Sequence, residues 1–367
     1  MKIYLTKIFV IVLLVAIGGA LFLSCKGENK NAWGADDEII VFADSSDFYE
    51  LEASLLTVFN KVIYTPQAEV LFNLVRKDIS QFEQYRKFKN ILFISPLDTV
   101  HEVSRIVSKM LTEDVRELVM SDSVSVINKH DVWAKNQLVM IIASADLTKL
   151  KNNILNSHQD LIYYFQKASD KRLFLSLYNN KYERKNIEAQ LLKDYGWMIY
   201  VQADFSVALN KKEDNFVWLR RGAGTEIERW IFIHWIENAS PSLFHKDSIN
   251  AIRNRLTEKY YRTADDSGYV KIADDYYSIK ETNFLKRYAL MTQGLWVMSD
   301  ATMGGPFVNY TFYDNDTKRL YMLDGSVYAP KFFKKKIIQQ VDLTLQSFLT
   351  DKEVTPERKA NLFKELD

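Results

Sequence analysis

An α+β fold of mostly antiparallel sheets covered by helices, divided into two subdomains, is predicted by three features of the chain. Short apolar runs of strand length alternate with helical i, i+3, i+4 patterns along its whole course. The strand-like runs crowd into the second half, close enough together for an antiparallel set. At 367 residues the chain also exceeds what one hydrophobic core usually holds. The expected divisions are 1–24 as an export signal, 25–37 as a polar tether, 38–168 as an N-terminal α/β subdomain, 169–350 as a C-terminal antiparallel α+β subdomain, and 351–367 as a charged tail.

Taken in order, "EIIVFAD" (38–44) reads as a strand leading into a helix capped by Ser45, Ser46 or Asp47. Leu51, Leu55, Val58 and Phe59 share one face of that helix, and Pro66 breaks the pattern. "NILFIS" (90–95) is a buried-type strand ended by Pro96, followed by a helix over 99–110. Two strand-like runs fill 123–144. From Asp146 one long helix carries Leu147, Leu150, Ile154, Leu161 and Phe165, and a second, over 171–193, stops at Gly196. Strands are expected at 197–209, 216–221 and 229–236, with a helix over 248–261 packed on them. Further strands follow at 288–298, 307–313 and 319–328, the last two joined by the turn-forming "DNDTK". Phe333, Ile337, Val341, Leu345 and Phe348 stripe a final helix, and a loosely held helix ends the chain. Trp133, Trp218 and Trp296 each precede strand and helix patterns, which raises the question of a decayed duplication.

The first residues point to export. Lys2 and Lys7 precede an apolar run from Ile8 to Leu23, then Ser24, Cys25 and the polar "KGENKN". That run is shorter than the ~20 residues that span a bilayer comfortably. "LFLSC" resembles a lipobox, with Ser24 before the cut and Cys25, the chain's one cysteine, as the acylated (palmitate-bearing) residue. Lipidated Cys25 is the preferred reading over an uncleaved transmembrane anchor or an ordinary cysteine. Lys26 and Glu28 with Gly27 between them favour the periplasmic face of the outer membrane over surface display. A mature chain would have no disulfide, so its fold rests on an ordinary core. Charge is nearly balanced, 48 basic against 47 acidic residues. No bulk field attracts nucleic acid, and nucleic-acid partners are excluded on this count and by export.

The stretches "GLW" (294–296), "MGGPFV" (303–308) and "GSVYAP" (325–330), with the helix after them, resemble an uncharacterised lipoprotein family of Bacteroidota and relatives, domain of unknown function 4837. "DVWAKNQLV" (131–139) and "WLRRGAGTEIERWIFIHWI" (218–236) extend the resemblance upstream. It implies an envelope lipoprotein with an α+β body and no transferable catalytic residue.

Signatures of chemistry are sparse. The histidines, His101, His130, His158, His234 and His245, show no i, i+4 zincin pair, and no second cysteine exists for a Cys–His cluster. No metal site, cofactor or catalytic residue is expected. His158 and His234 read as core or boundary histidines. "RRGAGTE" (220–226) offers two arginines and two glycines, but lies between strands and lacks the Lys-Ser/Thr of a phosphate loop, so solvated arginines are the better reading. The acid pairs Asp265–Asp266 and Asp274–Asp275 read as solvated loop residues, and so does the run Lys334–Lys336 opening the last helix. Gly304-Gly305-Pro306 is the candidate site, either a tight joint between strands with Gly304 at positive φ or a place where a ligand approaches the backbone; the joint is preferred.

The aromatic load, 22 Phe, 20 Tyr and 7 Trp, reads mostly as core, with a binding surface as the second reading, since adjacent aromatics such as Tyr163 to Phe165 and Tyr276–Tyr277 fall on different faces. The expected function is therefore a non-enzymatic envelope lipoprotein that binds or scaffolds a partner, an envelope protein or a glycan. The alternative is a hydrolase or transferase acting on cell-wall or glycan material, which would require convergent acids or an acid–histidine pair in a cleft.

Overall fold

The computed structural model describes residues 30–366; Cys25, the export signal and the start of the tether lie outside them. The α+β class is as expected, and the chain divides into two compact units.

Among the described residues, the first unit comprises 30–60 together with Phe72–Ala168. β1 (Glu38–Phe42) leads into α1 (Ser45–Phe59). The hairpin of β2 (Val62–Tyr64) and β3 (Ala68–Val70) groups with the second unit. The first unit resumes with β4 (Asn73–Lys77), a short α2 (Phe82–Tyr85) and β5 (Asn90–Pro96). α3 (Glu102–Met110), α4 (Glu113–Met120), β6 (Val126–His130), β7 (Leu138–Ser144) and α5 (Leu147–Asn156) follow. The sheet order is β4-β1-β5-β7-β6. β1, β4, β5 and β7 are parallel, and β6 alone is antiparallel to its neighbour. β5 and β7 are buried at every residue, as parallel strands covered on both faces must be. That burial is why "NILFIS" and "LVMIIAS" read as unbroken apolar runs.

The α1 boundary differs from expectation in an informative way. Asp44 is the N-cap residue, yet its side chain makes no bond to its own helix. The carboxylate accepts instead from Val103 N–H in the first turn of α3, at 3.1 Å.

The second unit comprises Lys61–Leu71 and the chain from Ser169 onward. No loop marks that boundary, because α6 (His158–Leu177) runs through Ala168. The single helix expected from Asp146 is thus two, α5 and α6, separated at Ser157; the next begins only at α7 (Lys185–Tyr195). Gly196 ends α7 at φ 74°, the left-handed stop expected of it. β8 (Trp197–Met198), β9 (Phe205–Lys211), β10 (Phe216–Arg221), β11 (Glu228–Glu237) and α8 (Lys246–Tyr260) come next. Then follow β12 (Val270–Phe284), β13 (Arg287–Met298), β14 (Gly304–Asp314), β15 (Arg319–Tyr328), α9 (Lys335–Leu345), β16 (Leu349–Thr350) and α10 (Pro356–Phe363).

Seven of these strands form an antiparallel sheet ordered β12-β13-β14-β15-β11-β10-β9. Its two faces bury different clusters, in step with the two-residue period of a strand. Along β11, Ile231, Ile233 and Trp235 join Leu191 and Tyr195 of α7 and Val341 and Leu345 of α9. Phe232 turns the other way, toward Ile249, Ile252 and Leu256 of α8, with Trp230 packed against the same cluster.

Gly304-Gly305-Pro306 is not a joint. All three residues lie inside β14, paired with Val297, Trp296 and Leu295 of β13, and Gly304 does not have a positive φ. The turn before them places Ala301, not a glycine, in the left-handed region at φ 59°. The glycine that matters is Gly305. A Cβ there would fall 2.0 Å from the Val327 carbonyl oxygen and 3.0 Å from the Trp296 indole nitrogen. That nitrogen donates to Val327 O at 3.2 Å, and Trp296 is buried. The bare backbone makes room for an indole of the protein itself, not for a ligand. Pro306 is tolerated because the β14–β15 ladder begins only at Phe307.

Three further expectations are corrected. Of the lysines opening α9, Lys336 is exposed but Lys334 is buried, its ammonium donating to Gln67 Oε1 and Phe332 O at 2.9 Å. Lys335 donates to the Val70 and Leu71 carbonyls, and Glu69 accepts from the backbone N–H groups of Lys334 and Lys335 at 2.7 and 3.1 Å. This cap ties the β2–β3 hairpin to the start of α9. The C-terminal helix is anchored, with Leu362 buried among Ala189, Leu192, Met198 and Val354. Trp133 lies in bends ahead of a parallel strand, whereas Trp218 and Trp296 lie within antiparallel strands, so the three do not head copies of one module.

Candidate functional site

The loop "RRGAGTE" supplies the first part of a site, though not as a phosphate loop. Arg220 donates to both carboxylate oxygens of the buried Glu228, at 2.8 and 2.9 Å. Glu228 also accepts from Gly224 N–H at 2.8 Å and from the Trp230 indole at 2.7 Å. The anion that the glycine loop cradles is therefore the chain's own. Arg221, the next residue along β10, pairs across the ladder with Arg229 of β11.

These two arginines line a cleft of about 420 Å³ with Tyr182, Gln202, Asp204 and Gln340. Arg221 donates to Gln202 Oε1 at 2.7 Å and is bridged to the exposed Asp204. Arg229 donates to Gln340 Oε1 at 2.7 Å through one terminal nitrogen. Its Nε is buried with no hydrogen-bond partner. Burial, and then the Arg221 charge, push the Arg229 guanidinium down to about 10. Like charges directly opposite on a ladder destabilise a sheet. A carboxylate or phosphate between the two guanidiniums removes that repulsion and matches their forked donors. Arg229 follows the loop at the start of β11, whereas Gln340 comes from α9, far along the chain, and no local spacing marks it.

The acid pairs do not build a catalytic dyad. Asp265 accepts from the Ser267 hydroxyl at 2.8 Å, and Asp266 is bridged to Arg262. Asp274 and Asp275 are not in a loop; they occupy the irregular stretch of β12 between Ile272 and Tyr277. Carboxylates do converge elsewhere, at Glu183 and Glu188, both bridged by Arg358 of α10. Burial, then the Glu183 charge, push the Glu188 carboxyl up to about 8, against the opposing pull of Val201 N–H and Arg358. Both side chains are nearly fully buried, so the group closes the fold around α10 and presents nothing to a substrate.

The histidines scatter. His158 is exposed at the start of α6, not on a core face, with Nδ1 2.9 Å from Leu155 O. His130 and His245 are exposed, and His101 stands beside Asp44 and Asp47. His234 is the buried strand histidine expected, its Nδ1 3.1 and 3.0 Å from the carbonyls of Asp214 and Asn215. Burial pushes its imidazole down from 6.5 to about 4. Because the folded value lies below the unfolded one, stability is complete above pH 6.5 and falls as pH drops toward 4. The loss amounts to about 3 kcal/mol at 1.36 kcal/mol per unit. Urea unfolding at pH 7.5 and 4 should therefore show a smaller acid loss in His234→Gln than in the parent; equal losses would remove the assignment to His234.

Several adjacent aromatics are exposed together. Tyr163 and Tyr164 are exposed while Phe165 is buried, and Tyr276, Tyr277 and Tyr288 are exposed on β12 and β13.

Comparison with known proteins adds families but no activity. Residues 32–176 match a domain of unknown function, DUF8532. No curated protein matches the chain. Among solved structures, the Saccharomyces cerevisiae Ran-binding protein Mog1p is 12% identical, over 42% of this chain and 90% of that one, with a TM-score of 0.28. A point mutant of protein Mog1 is likewise 12% identical over the same shares, with a TM-score of 0.27. Scores this low carry no argument about fold or function. The segment 131–139, which resembled DUF4837 in sequence, falls within the DUF8532 match. From α7 through the glycine strand to the end of α9, residues 184–347 match the domain of unknown function DUF4837.

Proposed function

We propose that this chain is a non-enzymatic binding protein of the cell envelope, held on the periplasmic side of the outer membrane through acylated Cys25. Its arginine cleft takes the carboxylate or phosphate group of an envelope protein or glycan. The observation that carries the reading is the opposed Arg221–Arg229 pair in an open cleft, with one buried guanidinium nitrogen left without a partner. The basic n-region, apolar run and "LFLSC" at the front support the anchor. A diacylglyceryl group with an added N-acyl chain holds a protein to a bilayer stably, where a single chain does so only marginally.

The test is calorimetric titration of the full chain in detergent with inorganic phosphate and with a short uronic-acid oligosaccharide. Binding should saturate, weaken with added salt, and fall at least tenfold in Arg229→Gln. An unchanged affinity in that variant, or no binding of either probe, overturns the cleft. In the same preparations, Cys25→Ala should leave the membrane fraction; retention there would favour an uncleaved apolar anchor.

A further inference from the structure

We infer that the first unit carries a divalent transition-metal site formed by Asp44, Asp47 and His101. One ligand atom from each lies within 4.8 Å of those of the other two. The three residues come from places that only the sheet topology brings together. β1 is flanked by β4 on one side and β5 on the other. The chain leaves β1 through α1 to reach β4, then crosses back to β5, so the direction of winding reverses between β1 and β5. In open parallel sheets, the crevice beyond the carboxyl ends of strands at such a reversal is where ligands bind. Asp44 and Asp47 follow the end of β1, and His101 follows the end of β5.

The donors are unequally committed. Asp44 spends one oxygen on Val103 N–H at 3.1 Å. That bond orients the carboxylate and leaves its other oxygen for a metal, the arrangement in which a neighbouring donor fixes a ligand. Asp47 is 4% exposed, and its Oδ2 accepts no hydrogen bond. A buried carboxylate oxygen in that condition is costly unless a cation meets it. The neighbour it does have is His101 Nδ1, at 3.6 Å. His101 is the exposed member, its side chain 45% exposed. Ligand atoms around a first-row ion sit about 2.0–2.2 Å from the metal, so the imidazole swings inward to complete the set. Its exposed side leaves a coordination position for water.

Two carboxylates and one imidazole suit Zn²⁺ among the biologically common ions. Ca²⁺ takes six to eight oxygens and Mg²⁺ an octahedron of them, whereas imidazole favours zinc and its neighbours. The N-termini of α1 and α3 flank the cluster. Their dipoles offset part of the carboxylate charge, so the expected affinity is that of an exchangeable site.

The experiment is titration of the metal-stripped full chain with Zn²⁺ by calorimetry and with Co²⁺ by visible absorption. One equivalent of each should bind, Co²⁺ with the d–d bands of a nitrogen- and oxygen-ligated ion. His101→Ala and Asp47→Asn should each weaken Zn²⁺ at least tenfold, while His245→Ala, at the exposed His245–Asp247 pair, leaves it unchanged. Should Asp47→Asn fail to fold, the exposed His101 variant decides. Parent-like binding by His101→Ala, Mg²⁺ competing as well as Zn²⁺, or no saturable binding to the parent each overturns the site.

Discussion

Asp324→Asn should cost about 3–5 kcal/mol of folding stability, because it leaves a buried arginine without its counter-charge. Arg253 of α8 is 1% exposed and Asp324 of β15 is fully buried. The guanidinium donates from Nε to Asp324 Oδ2 at 2.6 Å and from Nη2 to Oδ1 at 3.3 Å. Asn309 Nδ2 donates to the same carboxylate at 3.1 Å, the Ser326 hydroxyl at 3.0 Å, and Thr311 continues the chain to Asn309 at 2.9 Å. The guanidinium carbon also lies 3.8 Å from the centre of the Phe307 ring. Arg253 Nη1 and the Tyr261 hydroxyl are buried without hydrogen-bond partners, so nothing nearby replaces the lost carboxylate charge. Burial, reinforced by the Asp324 charge, holds the Tyr261 hydroxyl well above its ordinary value, so it cannot serve as the missing anion. Urea denaturation measures the effect directly. A loss under about 1 kcal/mol would mean that solvent reaches Arg253. A double variant, Arg253→Met with Asp324→Leu, should recover most of the loss, since a well-filled apolar pair can replace a buried ion pair.

Trp296→Ala should cost a comparable ~3–5 kcal/mol, the range for truncating a large buried aromatic. Trp296 is among the largest fully buried side chains, with the Trp230 ring 5.1 Å away. Its loss opens a cavity beneath α8 and leaves Val327 O without the indole donor. The void cannot collapse easily, because Gly305 opposite it has no side chain to lean in. Thermal unfolding of the variant checks the magnitude. A near-native midpoint, or ready quenching of Trp296 fluorescence by a soluble quencher in the parent, would contradict burial.

Much of the fold was legible in the sequence, for a physical reason. "NILFIS" and "LVMIIAS" announce strands covered on both sides because nothing polar is tolerated there, and Gly196 announces a helix end because it alone adopts the left-handed stop without strain. β12 was not legible: it is an edge strand, and its middle exposes Asp275, Tyr276 and Tyr277 to water, so no apolar alternation marks it. The continuous helix expected over 147–165 failed because Leu150, Ile154, Leu161 and Phe165 keep their buried face across Ser157, where the backbone itself breaks. The lysines of α9 misled for the opposite reason, since their partners Gln67, Glu69 and Val70 stand far away in the chain.

By itself, then, the sequence determined the α+β class and the strands of the main antiparallel sheet other than β12, because periodicity is a local property. Only tertiary structure decided that Gly305 admits an indole, that Gln340 meets Arg229 in a cleft, and that His101 stands beside Asp47. Each depends on which strands become neighbours and in what register, and a side chain's charge or shape carries no record of the distant residue it will face.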